Sequence, residues 1–181
     1  ITGVDVTHLQ LSNSSIVNAG NSIAESGILL RDLLGIQAEG NTNVISGTTV
    51  NNSAQIGVFI RNLKRTSGVL AQADRLEITN STVTNSGDNT AGDNVTISVR
   101  DDPSNVGANF QTVVSGSSFT GVNGEISDGI QIDAGINAVS QLSISNTTFN
   151  NNNTAINITG ANNSTTYFDV SNNPNINTDG G

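Results

Sequence analysis

Five stretches of the chain carry one pattern: LQLSNSSIV (Leu9–Val17), NVISGTTVN (Asn43–Asn51), LEITNSTVT (Leu76–Thr84), TVVSGSSFT (Thr112–Thr120) and LSISNTTFN (Leu142–Asn150). Each places an apolar residue, Ser or Thr, then Asn or Gly, two hydroxyl residues, and a second apolar residue. The apolar pairs are Leu11/Ile16, Ile45/Val50, Ile78/Val83, Val114/Phe119 and Ile144/Phe149, always five apart. A straight strand sends alternate side chains to opposite faces, so two inward residues in it are separated by an even number. A separation of five therefore requires a corner. The residue able to turn it is the central one: Asn13, Gly47, Asn80, Gly116 or Asn146. Asn and Gly share a low cost for left-handed backbone, so their interchange in one column marks a backbone requirement.

A second column follows each copy, in GILLR at Gly27, GVFIR at Gly57, NVTIS at Asn94, GIQID at Gly129 and AINIT at Ala155. Its period-two apolar pairs are Ile28/Leu30, Val58/Ile60, Val95/Ile97, Ile130/Ile132 and Ile156/Ile158. The motifs recur at spacings of 34, 33, 36 and 30 residues, from Ile16 through Val50, Val83 and Phe119 to Phe149. Constant strands with elastic connections describe a coil whose loops point outward. Stacking such coils at about 4.8 Å gives parallel sheets around a continuous apolar interior.

The expected fold is all-β: a right-handed parallel β-helix of about five coils, 26–37 residues each, plus a partial terminal coil. These repeats resemble the bacterial β-helix repeat proteins, in which pectate-lyase-like enzymes and secreted adhesin passengers share one scaffold. The resemblance covers nearly the whole chain and speaks to fold, because that scaffold hosts unrelated functions. Residues 1–181 are read as one β-helix domain, a segment of a longer secreted protein.

Apolar residues make up only 34% of the chain and aromatics 3%, a composition that would suit disorder were the apolar columns not so regular. A narrow solenoid core needs no more. Truncating an inward aromatic such as Phe119 or Phe149 removes about 3–5 kcal/mol. The absence of cysteine excludes disulfides and thiolate metal sites. Six basic against fifteen acidic residues, net −9, argue against nucleic acid and anionic membranes. No long apolar run predicts membrane insertion. The charge is uneven: residues 1–100 hold six basic and eight acidic groups (net −2), and 101–181 hold seven acidic groups alone (net −7).

Two surface features single themselves out. The outward positions of the second column read Leu29, Phe59, Thr96, Gln131, Asn157 and, two places on, Arg31, Arg61, Ser98, Asp133, Thr159. Leu29 and Phe59, flanked by Arg31 and Arg61, form a candidate binding patch. Asp93 and Asp128 each stand two residues before an inward residue, so stacking would bring like charges together. Solvation, protonation or a bridging cation relieves that, and Ca2+ suits oxygen ligands. No other cofactor is expected.

Two functional readings compete. The first is a non-catalytic extracellular solenoid, secreted or on a cell surface, serving as a structural or adhesive module. It would associate through exposed coil ends with itself or another protein, or contact polysaccharide through its hydroxyl and amide ladders. The second is a fragment of a polyuronate hydrolase or lyase. Asn177-Thr178-Asp179-Gly180 is similar to a signature of polygalacturonase-like hydrolases, and Arg100 with Asp93 and Asp128 to the arginine and carboxylates of the lyases. Asp101-Asp102 adds a carboxylate doublet. Inverting hydrolysis needs two carboxylates about 6.5–9.5 Å apart, and nothing in the sequence places such a pair on one face.

Overall fold

The left-handed corner is a property of the backbone itself. In the computed structural model, φ is +48° at Asn13, +56° at Gly47, +48° at Asn80, +59° at Gly116 and +49° at Asn146. The structure describes all residues except 21–24, 64–71, 87–92, 100–107, 122–126, 173–174 and 179–181, and the side chains of 96–99 and 175–178 are likewise not described.

Three six-stranded parallel sheets wrap one core. Sheet A comprises Thr2–Thr7, Ile28–Leu34, Val58–Asn62, Val95–Val99, Asp128–Ala134 and Thr154–Gly160. Sheet B comprises Gln10–Ser12, Asn43–Ser46, Asp74–Thr79, Asn109–Ser115, Val139–Ser145 and Thr165–Ser171. Sheet C comprises Ser15–Val17, Thr49–Asn51, Thr82–Thr84, Ser118–Thr120, Thr148–Asn152 and Asn175–Thr178. The chain visits A, B and C in turn and returns to A one layer on, which makes it a parallel β-solenoid. The coil count differs from the expected five and a fraction: four coils are stacked between neighbours on both sides, and one further layer stands at each end with a neighbour on one side only. The opening from Ile1 to Val6 alternates apolar and polar residues and reads from the sequence as the tail of an earlier turn; the strand there, Thr2–Thr7, is the sheet A strand of the first of these layers, paired with Ile28–Leu34.

The corner residues join sheet B to sheet C, and Asn13, Gly47, Asn80 and Gly116 bind the next layer as strand residues would. Asn13 N–H donates to Ser46 O at 2.9 Å, Gly47 N–H to Thr79 O at 3.0 Å and Asn80 N–H to Ser115 O at 2.9 Å. The hydroxyl residue that follows braces the bend. Ser14, Thr48, Ser81, Ser117 and Thr147 each donate to the carbonyl two residues back, at 2.9–3.1 Å. Thr48, Ser81, Ser117 and Thr147 are buried, so this bond satisfies a hydroxyl removed from water. The first of the repeat's two hydroxyls is thereby explained.

The alternation of Asn and Gly along the corner also has a steric cause. A Cβ added at Gly47 would lie 2.6 Å from Asn13 Oδ1, and one at Gly116 would lie 2.5 Å from Asn80 Oδ1. Each asparagine amide leans over the next layer's glycine. A second left-handed ladder lies where sheet C ends, at Asn18 (φ +54°), Asn52 (+57°), Asn85 (+52°) and Asn151 (+51°). Asn52 Nδ2 donates to Asn18 Oδ1 at 2.7 Å there.

Inward side chains form columns through the layers. Ile16, Val50, Val83, Phe119 and Phe149 are in register in sheet C, and the Phe119 and Phe149 rings stack with centroids 5.5 Å apart. Ile45, Ile78, Val114 and Ile144 line sheet B, and Ile28, Val58, Val95 and Ile130 line sheet A, all buried. Ile156 and Ile158 continue the sheet A register, but Ile156 is only partly buried and Ile158 is 37% exposed. They belong to the outermost layer, which nothing covers on its far side among the described residues. Some polar side chains inside are tied to backbone, whereas the buried Thr112 and Ser140 hydroxyls have no partner among the described residues. Asn43 accepts from Leu9 N–H at 2.8 Å and donates to Leu34 O and Arg75 O at 3.0 and 3.1 Å.

Gly47→Ala combines a positive φ with a blocked Cβ site and is expected to cost about 1–2 kcal/mol. In an Asn13→Gly background the same change should cost less, because the carbonyl facing the new methyl has gone. Urea denaturation of the four variants checks this; equal costs in both backgrounds would contradict the Asn-over-Gly packing.

Candidate functional site

Two outer faces carry the polar side chains that could meet a partner. On sheet A, strand register stacks Leu29 on Phe59 and Arg31 on Arg61, and continues through Thr96 and Ser98 to Gln131 and Asp133, then Asn157 and Thr159. Leu29 and Phe59 are half-buried, Arg31 is exposed, and Arg61 is half-buried with its Nε enclosed and unpaired. Leu29 opens onto a concavity of about 280 Å³ shared with Ile1, Ala19 and Glu25, which Phe59 does not line. The candidate patch is continuous in register.

The carboxylates of this face are engaged by neighbouring layers. Asp133 Oδ1 accepts from Thr159 Oγ1 at 2.6 Å and from Gln131 Nε2 at 2.8 Å. Asp93 and Asp128 do occupy adjacent layers. Asp128 N–H donates to Asp93 Oδ1 at 3.2 Å, and Asn157 Nδ2 donates to Asp128 Oδ2 at 2.7 Å. No group of three or more His, Asp or Glu among the described residues is gathered to hold a metal ion. Arg100, Asp101 and Asp102, and Asp179-Gly180 of the hydrolase-like tetrapeptide, lie outside the described residues.

The more developed site is on sheet B. Arg75, Gln111, Gln141 and Tyr167 face outward in register through four successive layers, beside a parallel column of Glu77, Val113, Ser143 and Asp169. Arg75 Nη1 donates to Gln111 Oε1 at 2.7 Å, and its Nε and Nη2 reach Glu77 Oε1 at 2.9 and 2.8 Å. Further along, Gln111, Gln141, Ser143, Tyr167 and Asp169 line a groove of about 290 Å³. Tyr167 is 51% exposed, so much of its ring is open to solvent. An exposed aromatic ring flanked by amides, a hydroxyl and a carboxylate can stack and hydrogen-bond in one place.

Neither this groove nor the second corner ladder is among the residues singled out from the sequence, yet both have a sequence signal. Arg75, Gln111, Gln141 and Tyr167 each stand three residues before an inward residue, namely Ile78, Val114, Ile144 and Val170. Asn18, Asn52, Asn85 and Asn151 each stand five after a first-corner residue, and the same place after Gly116 holds Gly121, whose φ is not left-handed.

No protein-family model, curated protein or solved structure matches the chain. No helix among the described residues is long and apolar enough to cross a membrane.

Calcium between Asp93 and Asp128 has a direct check. Binding there predicts a melting temperature that rises with millimolar calcium, by an amount equivalent to about 2.7 kcal/mol at a hundredfold excess over Kd, and no rise in Asp93→Asn. A flat response in the unaltered chain removes the ion from the site.

Proposed function

We propose that the chain is a non-catalytic extracellular β-solenoid, secreted or held at a cell surface, that works as a structural and adhesive module in the manner of bacterial adhesin passengers. The observation that carries this reading is the use of polar side chains on the lateral faces. Arg75 is held by Gln111 and Glu77, Asp133 by Thr159 and Gln131, and Asp128 by Asn157. Groups fixed by neighbours across layers stiffen a face and present it unchanged. A catalytic acid or base must instead reach a reacting atom in a substrate pose.

The solenoid supports the same role mechanically. Each layer contacts only its neighbours, so length can vary without altering the binding faces. The end layers leave the inward residues Leu11 and Ile16 only partly buried and Phe168 53% exposed, and these are the surfaces on which a second copy, or more of the same polypeptide, would stack. The lateral face of sheet B, with its groove, is the surface for polysaccharide.

Co-sedimentation with insoluble polysaccharides, paired with assays for reducing ends and unsaturated products on polyuronates, tests the proposal. The expected result is retention of the chain in the pellet without product release. Product release from any polyuronate would establish the competing hydrolase or lyase reading.

A further inference from the structure

We infer that the sheet B groove binds an uncharged polysaccharide strand lying along the solenoid axis, with Tyr167 stacking on a sugar ring and Gln111, Gln141 and Asp169 bonding its hydroxyls. This rests on the surface-module reading and assigns the ligand of its lateral face.

The chemistry of the lining selects a sugar. A pyranose presents an apolar C–H face and a rim of hydroxyls that both donate and accept. The groove offers the complement: the half-exposed ring of Tyr167, the NH2 donors of Gln111, whose Oε1 accepts from Arg75, the Gln141 amide, the Ser143 hydroxyl, and the acceptor oxygens of Asp169. Ligand sites elsewhere combine an apolar floor with a few convergent polar groups in the same way.

Charge decides which sugar. Asp169 is the one formally charged residue lining the groove, and it is negative. Arg75, the cation in the column, is bonded to Glu77 and Gln111 and does not line the groove. The chain as a whole carries −9, and residues 101–181, which supply every lining residue, hold seven acidic groups and no basic one. A uronate or sulfated strand would be repelled both locally and by the field of the molecule. An uncharged strand meets no such penalty, and its hydroxyls can donate to the Asp169 carboxylate in a charge-assisted bond.

Register sets the direction. Gln111, Gln141 and Tyr167 are strand neighbours in successive layers, and so repeat at about 4.8 Å along the axis. A strand laid along the axis meets a new hydrogen-bonding side chain at each layer. One laid across it meets the two columns once and then leaves the groove. Individually weak contacts then add along the polymer.

Native affinity electrophoresis tests the assignment, with gels containing hydroxyethylcellulose, laminarin, galactomannan or polygalacturonate, and a blank gel. We expect retardation in at least one of the three neutral gels and none in polygalacturonate. Tyr167→Ala should weaken that retardation about tenfold in apparent affinity, Tyr167→Phe should keep most of it, Gln141→Ala should reduce it, and Arg31→Ala, on sheet A, should leave it unchanged. Circular dichroism of each variant confirms that the strands persist. Unretarded migration in all neutral gels, or retardation indifferent to both Tyr167→Ala and Gln141→Ala, overturns the inference. Retardation in polygalacturonate alone overturns the uncharged ligand and leaves the surface-module reading standing; product release in the separate assay overturns that reading without touching the groove.

Discussion

Everything in this solenoid depends on a bend that the backbone makes at one residue per coil and repeats in register. A left-handed residue between two short strands costs an ordinary L-amino acid about 1–2 kcal/mol, and Asn and Gly are the types that reduce this most. Placed at that point, they swing the chain from sheet B to sheet C with inward side chains on both sides of the bend. Ile45 and Val50, or Ile78 and Val83, then face one interior although five residues separate them. Without the bend, one of each pair would lie in water.

The bend also explains how so polar a chain keeps a dry core. At the corner, backbone N–H groups pair with the next layer, and the buried Ser or Thr that follows bonds its own chain two residues back. The hydroxyl-rich stretch is thus a satisfied part of the interior, so a content of 34% apolar residues suffices. Asn43 does the same where sheet A meets sheet B, capping Leu9, Leu34 and Arg75 across layers. Stacking also determines what the outer faces can be: long ladders of side chains, each conditioned by the one above and below.

Much of the architecture is legible in the sequence because its rules are short-range. The corner column, the apolar pairs around it and the period-two strands of sheet A each lie within one stretch, and their alignment gives the register of neighbouring layers. What is less legible depends on relations between layers or on ends. The exposure of Ile158 follows from its place in the last layer, which periodicity does not encode. The second ladder at Asn18, Asn52, Asn85 and Asn151 is a repeat of the first, hidden by the abundance of asparagine. The groove needs Tyr167 beside Gln141 and Asp169, a juxtaposition visible only once register has aligned unlike residues. Leu29 and Phe59 illustrate the reverse: their adjacency follows from register, which the aligned GILLR and GVFIR stretches already give.

The functional reading follows from the same stacking, since a ladder of side chains at fixed intervals suits a long repetitive ligand better than a single reacting bond. Dipolar EPR tests the layered corner most directly, and the absence of cysteine from the chain allows labels to be placed without background. With labels at Ser15 and Thr82, then at Ser15 and Thr148, the account predicts narrow separations of about 10 and 19 Å, proportional to two and four layers of sheet C. Broad distributions, or distances that fail to scale with layer number, would contradict it.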